Sequence, residues 1–335
     1  MKTEARQLYD EAVVIDGLNV SNWKSDKVFE DLRAGGITAI NATVVTWENF
    51  QQTMDHITAW MKRFRERSDL LQIRCLADID KAKADRRMGI ILGFQNATAI
   101  ENDLDRLGLF HALGVRIIQM TFHERNLLAS GCWERTDDGL SNFGVDAVRE
   151  MNDLGILIDL SHVGDRSIIE TIETSRLPCA ITHANARATL DHPRNRTEES
   201  LKLLAERGGV VGACSFAPFL PTGHESTVSD FIDAIDDMVQ RIGIDHVGIG
   251  TDNTQEQPLA FWHYIAAQQG TKFPSTFADG SVPYEELSFQ PIGMETPAKF
   301  PVVAEALLDR GYSRDDALQI LGGNWLRLFG EVWQS

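Results

Sequence analysis

Short apolar runs rich in β-branched residues alternate along the chain with longer stretches of helical period. Eight runs read as strands: AVVIDGLN, ITAINATVV, GIILGFQN, VRIIQMTF, LIDLSH, CAITHAN, VVGACSF and HVGIGTD. Between them, FQQTMDHITAWMKRFRERSD places apolar residues near i, i+3, i+4 and i+7, the stripe of an amphipathic helix. GVDAVREMNDLG and SLKLLAERGG each run into the next strand through Gly, as expected just past a helix C-terminus. VFEDLRAGG ends the same way. Eight strand–helix units in about 250 residues predict a (β/α)8 TIM barrel, an α/β fold. An open doubly wound sheet is the runner-up. Against it, the turn after the first strand, DGLNVSNW, is not the GxGxxG of a dinucleotide fold.

The stretch after HVGIGTD breaks the pattern. From about residue 253 to about 297 it is rich in Gly, Pro and aromatic residues and has little periodicity, which predicts a lid or an oligomer contact. FPVVAEALLDRGYSRDDALQILGGNWLRLFGEVW then closes the chain as helices. Ser313 reads as an N-cap there, with Asp316 at the capping-box position. No repeat or linker divides the chain, so residues 1–335 read as one domain.

Composition narrows the partners. Of 335 residues 43% are hydrophobic, and 32 Lys and Arg stand against 49 Asp and Glu, a formal net charge of -17. That balance argues against nucleic acid and against an anionic membrane surface. Four dispersed cysteines without a CxxC pair point to reduced thiols and a cytoplasmic setting. MKTEARQLYDEA has no signal-peptide core, no run approaches a membrane span, and LFGEVWQS is not a lipid-anchor signal.

The candidate chemistry sits at the strand ends. Apolar residues give way there to Asn19, Gln95 with Asn96, His123, Ser161 with His162, Thr182 with His183, and Asp252. In a parallel barrel these ends share one mouth. His162 and His183 close consecutive strands, and two neutral imidazoles at adjacent strand ends could share a metal ion. Asp252 reads either as a ligand or general base for a water, or as a turn residue. Arg194, in HPRNRTEES, could clamp a substrate carboxylate. His123 could polarise a carbonyl. His56, His111, His224, His246 and His263 fall in helical or loop patterns and carry no assignment.

FGVDAVREMNDLGILIDLSHVG, ITHANARATLDHPRN, GIDHVGIGTD and ILGGNWLRLFG, in that order, resemble the membrane dipeptidase (renal dipeptidase) family over nearly the whole chain. The resemblance implies an amidohydrolase-type (β/α)8 barrel, usually a homodimer. It implies dipeptide hydrolysis with two zinc ions and a shared hydroxide. Carried over residue by residue, it places second-metal ligands at His162 and His183, the carboxylate-binding Arg at Arg194, and the last-strand Asp at Asp252. The His that assists the tetrahedral intermediate falls at His123 or one residue away, at Phe122. Three positions depart from the family. Its first strand normally reads Asp-Gly-His-Asn-Asp, but the two first-metal ligand positions here are Leu18 and Val20, and the bridging Glu is replaced by Gln95. The first metal site is therefore expected to be lost. The second keeps two His, with a third donor from the Gln95 carbonyl or Asp252, whereas catalytic zinc usually has three protein ligands. The expectations that follow are a hydrolase with one zinc ion acting on a dipeptide or similar small amide, a metal-free binding module, or a barrel with non-hydrolytic chemistry.

Overall fold

The computed structural model describes residues 1–266 and 287–333. Nine parallel strands form one sheet: β1 (Ile15–Asn19), β2 (Ala39–Val45), β3 (Leu70–Gln72), β4 (Met88–Phe94), β5 (Val115–Gln119), β6 (Leu157–Asp159), β7 (Ala180–Ile181), β8 (Val210–Cys214) and β9 (Val247–Gly250). Their order is β1-β2-β4-β5-β6-β7-β8-β9. The ends meet where Asn19 bridges Asn253 and the Val20 N–H donates to Asn253 O at 2.7 Å. The chain thus folds as a (β/α)8 barrel, with all eight anticipated runs as its staves. The ninth strand, β3, was not anticipated. It pairs only with Met88–Ile90 of β4, while β5 takes Leu92–Phe94.

The anticipated helices form around the barrel: α1 (Asp26–Ala34), α2 (Phe50–Glu66), α3 (Asn142–Leu154) and α4 (Glu198–Glu206). Asn49 and Gln52 make a reciprocal capping box at the start of α2, and Gly155 ends α3 in the left-handed region. Ser313 and Asp316 cap the short helix Arg314–Leu318 as expected. Of the aperiodic stretch, residues 253–266 include helix Leu259–Ala266, and residues 287–297 follow. Residues 267–286, in the middle of the expected lid or oligomer contact, lie outside the described residues.

Two apolar layers hold this frame. The larger lies between strands and helices. The smaller fills the lower barrel with Ile15, Ala39, Ile91, Ile117, Leu157, Ala180 and Val210, one from each of seven staves. The C-terminal helix Asn324–Val332 seals it with Trp325, Leu328 and Phe329. Trp325 Nε1–H donates to Ile249 O at 3.1 Å. A Cβ on Gly248 would lie 2.5 Å from the indole, so the ring needs that glycine. The plug leaves chemistry only the opposite, C-terminal mouth.

Candidate active site

His162 and His183 follow β6 and β7, and their Nε2 atoms stand 2.9 Å apart. A support built from strand-end residues fixes the pair. Asp159 Oδ1 accepts from Ser161 Oγ (2.6 Å) and from the Thr182 N–H (2.9 Å). Asp159 Oδ2 accepts from Thr182 Oγ1 at 2.7 Å. The Thr182 hydroxyl is thereby spent as a donor, so at 2.8 Å it accepts from Nδ1–H of His183. Nε2 of His183 is left with its lone pair directed at His162. Nδ1 of His162 is buried without a hydrogen-bond partner among the described residues. Burial, then the charge of Arg194, holds both imidazoles well below their ordinary pKa, so both are neutral, the ligand form.

The same device closes the barrel seam. Asp16 accepts from the Thr251 N–H (2.8 Å) and from Thr251 Oγ1 (2.7 Å), as Asp159 does from Thr182. Each threonine precedes a candidate site residue, His183 in one case and Asp252 in the other. Burial raises the Asp16 carboxyl to about 6. A Cβ on Gly250 would stand 1.8 Å from Thr182 O, so β7 and β9 crowd beneath the site only because glycine is there.

Asp252 sits in the left-handed region (φ 50°), with its N–H donating to Leu18 O at 3.1 Å. Burial drives its carboxyl up to about 7, opposed by Arg194 and assisted by Asp16 and Asp159. It lines a narrow cavity of about 30 Å³ together with Gln95, His123, His162 and Val20. Gln95 donates from Nε2 to Thr43 Oγ1 at 2.9 Å. His123 and Phe122 both face the cavity, and Phe122 stacks on the rings of both His123 and His162. Burial keeps His123 neutral. Leu18 is buried but does not line the cavity.

Arg194 is fully buried. Nη1 donates to Ser161 O and Nη2 to His183 O, the latter at 3.1 Å, while Nε has no partner among the described residues. The guanidinium therefore braces the backbone of both histidine turns. Two of its five N–H donors are used, and it is not among the residues lining the cavity.

A two-metal centre does not fit this site. Among the described residues no group of three or more His, Cys, Asp or Glu could hold a metal ion. Val20 and Gln95 offer no charge at the cavity wall. Two converging neutral imidazoles, one with its tautomer set by a hydroxyl, are the paired nitrogen donors that these residues offer to an ion.

The outer wall was not legible beforehand. Phe216, Phe219, Phe261, Trp262 and Ile265 close it, Phe216 and Phe219 from the turn and 3-10 segment after β8 and the other three from helix Leu259–Ala266. Asp159 and Asp16 were also missed as supports. Their signal is an Asp ending an apolar run in both VVID and LID, and a Thr preceding both Asp252 and His183.

A parallel barrel with neutral histidines and a high-pKa carboxyl at its C-terminal mouth defines the class: an amidohydrolase-like (β/α)8 barrel. Residues 3–261 match the model of the membrane dipeptidase family, peptidase family M19. The chain belongs to that family. It is 40% identical to an amidohydrolase from Pseudomonas aeruginosa, whose crystal structure superposes with a TM-score of 0.92 over 98% of this chain and 99% of that one. A metallopeptidase from Rhodobacter sphaeroides, liganded with a phosphinate mimic of the dipeptide L-Ala-D-Ala, is 22% identical and shares the fold with a TM-score of 0.78 over 96% and 100% of the two chains. Among curated relatives, a dipeptidase of Claviceps purpurea is 27% identical over 85% of this chain and 60% of its own length. The chain spans 51–60% of the length of the first such relatives it matches.

Proposed function

We propose that the protein hydrolyses a dipeptide or a similar small amide with a free carboxylate, using one metal ion. The observation that carries this reading is the 2.9 Å convergence of His162 and His183 Nε2 at the mouth that Asp252 also lines. His162 and His183 would hold the ion, zinc by family resemblance, with the Gln95 amide oxygen as third donor. When bound, the ion would polarise the scissile carbonyl and favour ionisation of the attacking water. Asp252, with a carboxyl near neutrality, takes a proton from water as its oxygen joins the carbonyl carbon. It returns that proton to the departing nitrogen as the C–N bond breaks. His123 donates a hydrogen bond to the oxygen that becomes negative. By family resemblance Arg194 would hold the substrate's C-terminal carboxylate, with N–H donors beyond the two that brace Ser161 O and His183 O.

The neutral, aromatic wall supports an ordinary amide rather than a multiply charged group at the reacting centre. A cytoplasmic setting and a homodimer remain part of this proposal. Among the described residues no helix is long and apolar enough to cross a membrane. The test is turnover of a dipeptide panel with and without added zinc, by wild type and Asp252→Asn. Zinc-dependent release of amino acids that the variant loses supports the reading. No release from any dipeptide overturns it.

A further inference from the structure

A second cavity, of about 360 Å³, adjoins the catalytic one and shares Val20, Thr46 and Phe261 with it. It opens over the ends of β1 and β2 and is floored by helix Phe50–Glu66. Lys24, Arg63 and His56 face it. Neither Lys24 nor Arg63 makes an ion pair among the described residues, and the guanidinium of the half-buried Arg63 rests over the Trp60 ring, 5.2 Å from its centre. Nδ1–H of His56 is committed to Val44 O at 2.9 Å. Glu48 is the one acid among the described lining residues. It already accepts the Thr46 N–H at 2.6 Å and the Trp47 N–H at 3.1 Å. In a chain of net charge -17, two cations against one acid in a cavity beside the reacting centre are a local exception.

The topology says which end of a substrate they meet. Around the barrel β2 and β7 are four staves apart, on opposite sides. Arg194 follows β7. A dipeptide whose C-terminal carboxylate is held there extends its N-terminal residue across the mouth toward β1 and β2. Resting on the dipeptidase reading above, we infer that Lys24 and Arg63 form a subsite for an acidic side chain on the N-terminal residue, so that the substrates are Asp- or Glu-initiated dipeptides. Val20 makes this passable. An apolar residue there leaves an uncharged wall between the subsite and the scissile bond.

The test compares Glu-Ala with Gln-Ala, a pair that differs only in charge at the side-chain end. Wild type is expected to favour Glu-Ala in kcat/KM by roughly tenfold or more, as a charge-assisted contact provides. The ratio falls toward one in Arg63→Met, and falls in part in Lys24→Met, where the exposed position carries no folding risk. Equal ratios in wild type and both variants, or no preference in wild type, overturn the inference. Should no dipeptide be cleaved, the functional reading fails separately. The subsite is then read from calorimetric binding of the uncleavable reduced-bond analogues of the same pair, with the same ratio expected and equal affinities overturning it.

Discussion

The Nδ1–H of His183 is held by a hydroxyl, Thr182 Oγ1 at 2.8 Å, and not directly by a carboxylate. The carboxylate stands one step behind, Asp159 Oδ2 at 2.7 Å from that same hydroxyl. The hydroxyl is a swivel whose single proton is claimed by Asp159, which leaves His183 only one tautomer. The ring orientation at the metal-binding end is thus decided two residues away from any ligand atom.

Removing the swivel should therefore weaken the ion more than the fold. Thr182→Val keeps shape but strands Asp159 Oδ2 and His183 Nδ1, which costs about 1–3 kcal/mol of stability. Metal affinity is expected to fall roughly 10–100-fold, the usual effect of losing a ligand's support. Thr182→Ser restores it. Zinc titration of the three proteins against a chromophoric chelator reads the difference.

Asp252 should set the pH profile. Acting as base, it works deprotonated, so kcat/KM should rise about tenfold per unit below its pKa of about 7 and level off above it. Asp252→Asn should lower kcat by roughly 10²–10⁴. A profile that stays flat from pH 5 to 8 contradicts the assignment.

The same carboxyl has a stability signature of opposite direction. Its folded pKa of about 7 lies above its ordinary 3.8, so the folded chain binds the proton more tightly than the unfolded one. Its contribution is full below about pH 4 and is lost as pH rises through about 7. Asp252→Asn removes that loss. The variant should be more stable than wild type at pH 8, on the order of 1–3 kcal/mol, with the gap narrowing at pH 4. Urea unfolding at the two pH values measures it.

One substitution separates the bracing role of Arg194 from the substrate-binding role proposed for it. Arg194→Lys keeps the charge and loses the planar fork. If the residue holds substrate carboxylate, KM for a free dipeptide rises roughly tenfold or more, while KM for its C-terminal amide does not. If it only braces Ser161 O and His183 O, both substrates suffer alike.

Much of the fold could be read because each barrel stave is an apolar run ended by a polar residue. VVGACSF and HVGIGTD show it as plainly as any. Strand β3 could not be read that way. Three residues, LLQ, pair with only the lower part of one neighbour and need no extended pattern. The histidine pair was legible because strand ends converge in a barrel. The supports were not, because Asp159 and Thr182 look like ordinary turn residues until their oxygen atoms are placed. The aromatic wall was hidden for a different reason. Phe216, Phe219 and Trp262 come from turns and a short helix whose period says nothing of where they point.

Leu18, Val20 and Gln95, where the resemblance places the family's first-metal ligands and bridging Glu, have a direct counterpart experiment. A Leu18→His, Val20→Asp, Gln95→Glu triple variant should gain a second ion if these positions are the family's vanished ligands. A variant that binds no more metal than wild type argues that they are not.

Whether His162 and His183 hold one ion is read from elemental analysis of purified protein after equilibration with zinc. Close to one ion per chain is expected, and none in the His162→Ala, His183→Ala double variant. Two tightly held ions per chain, or no uptake at any zinc concentration the folded protein tolerates, would contradict it.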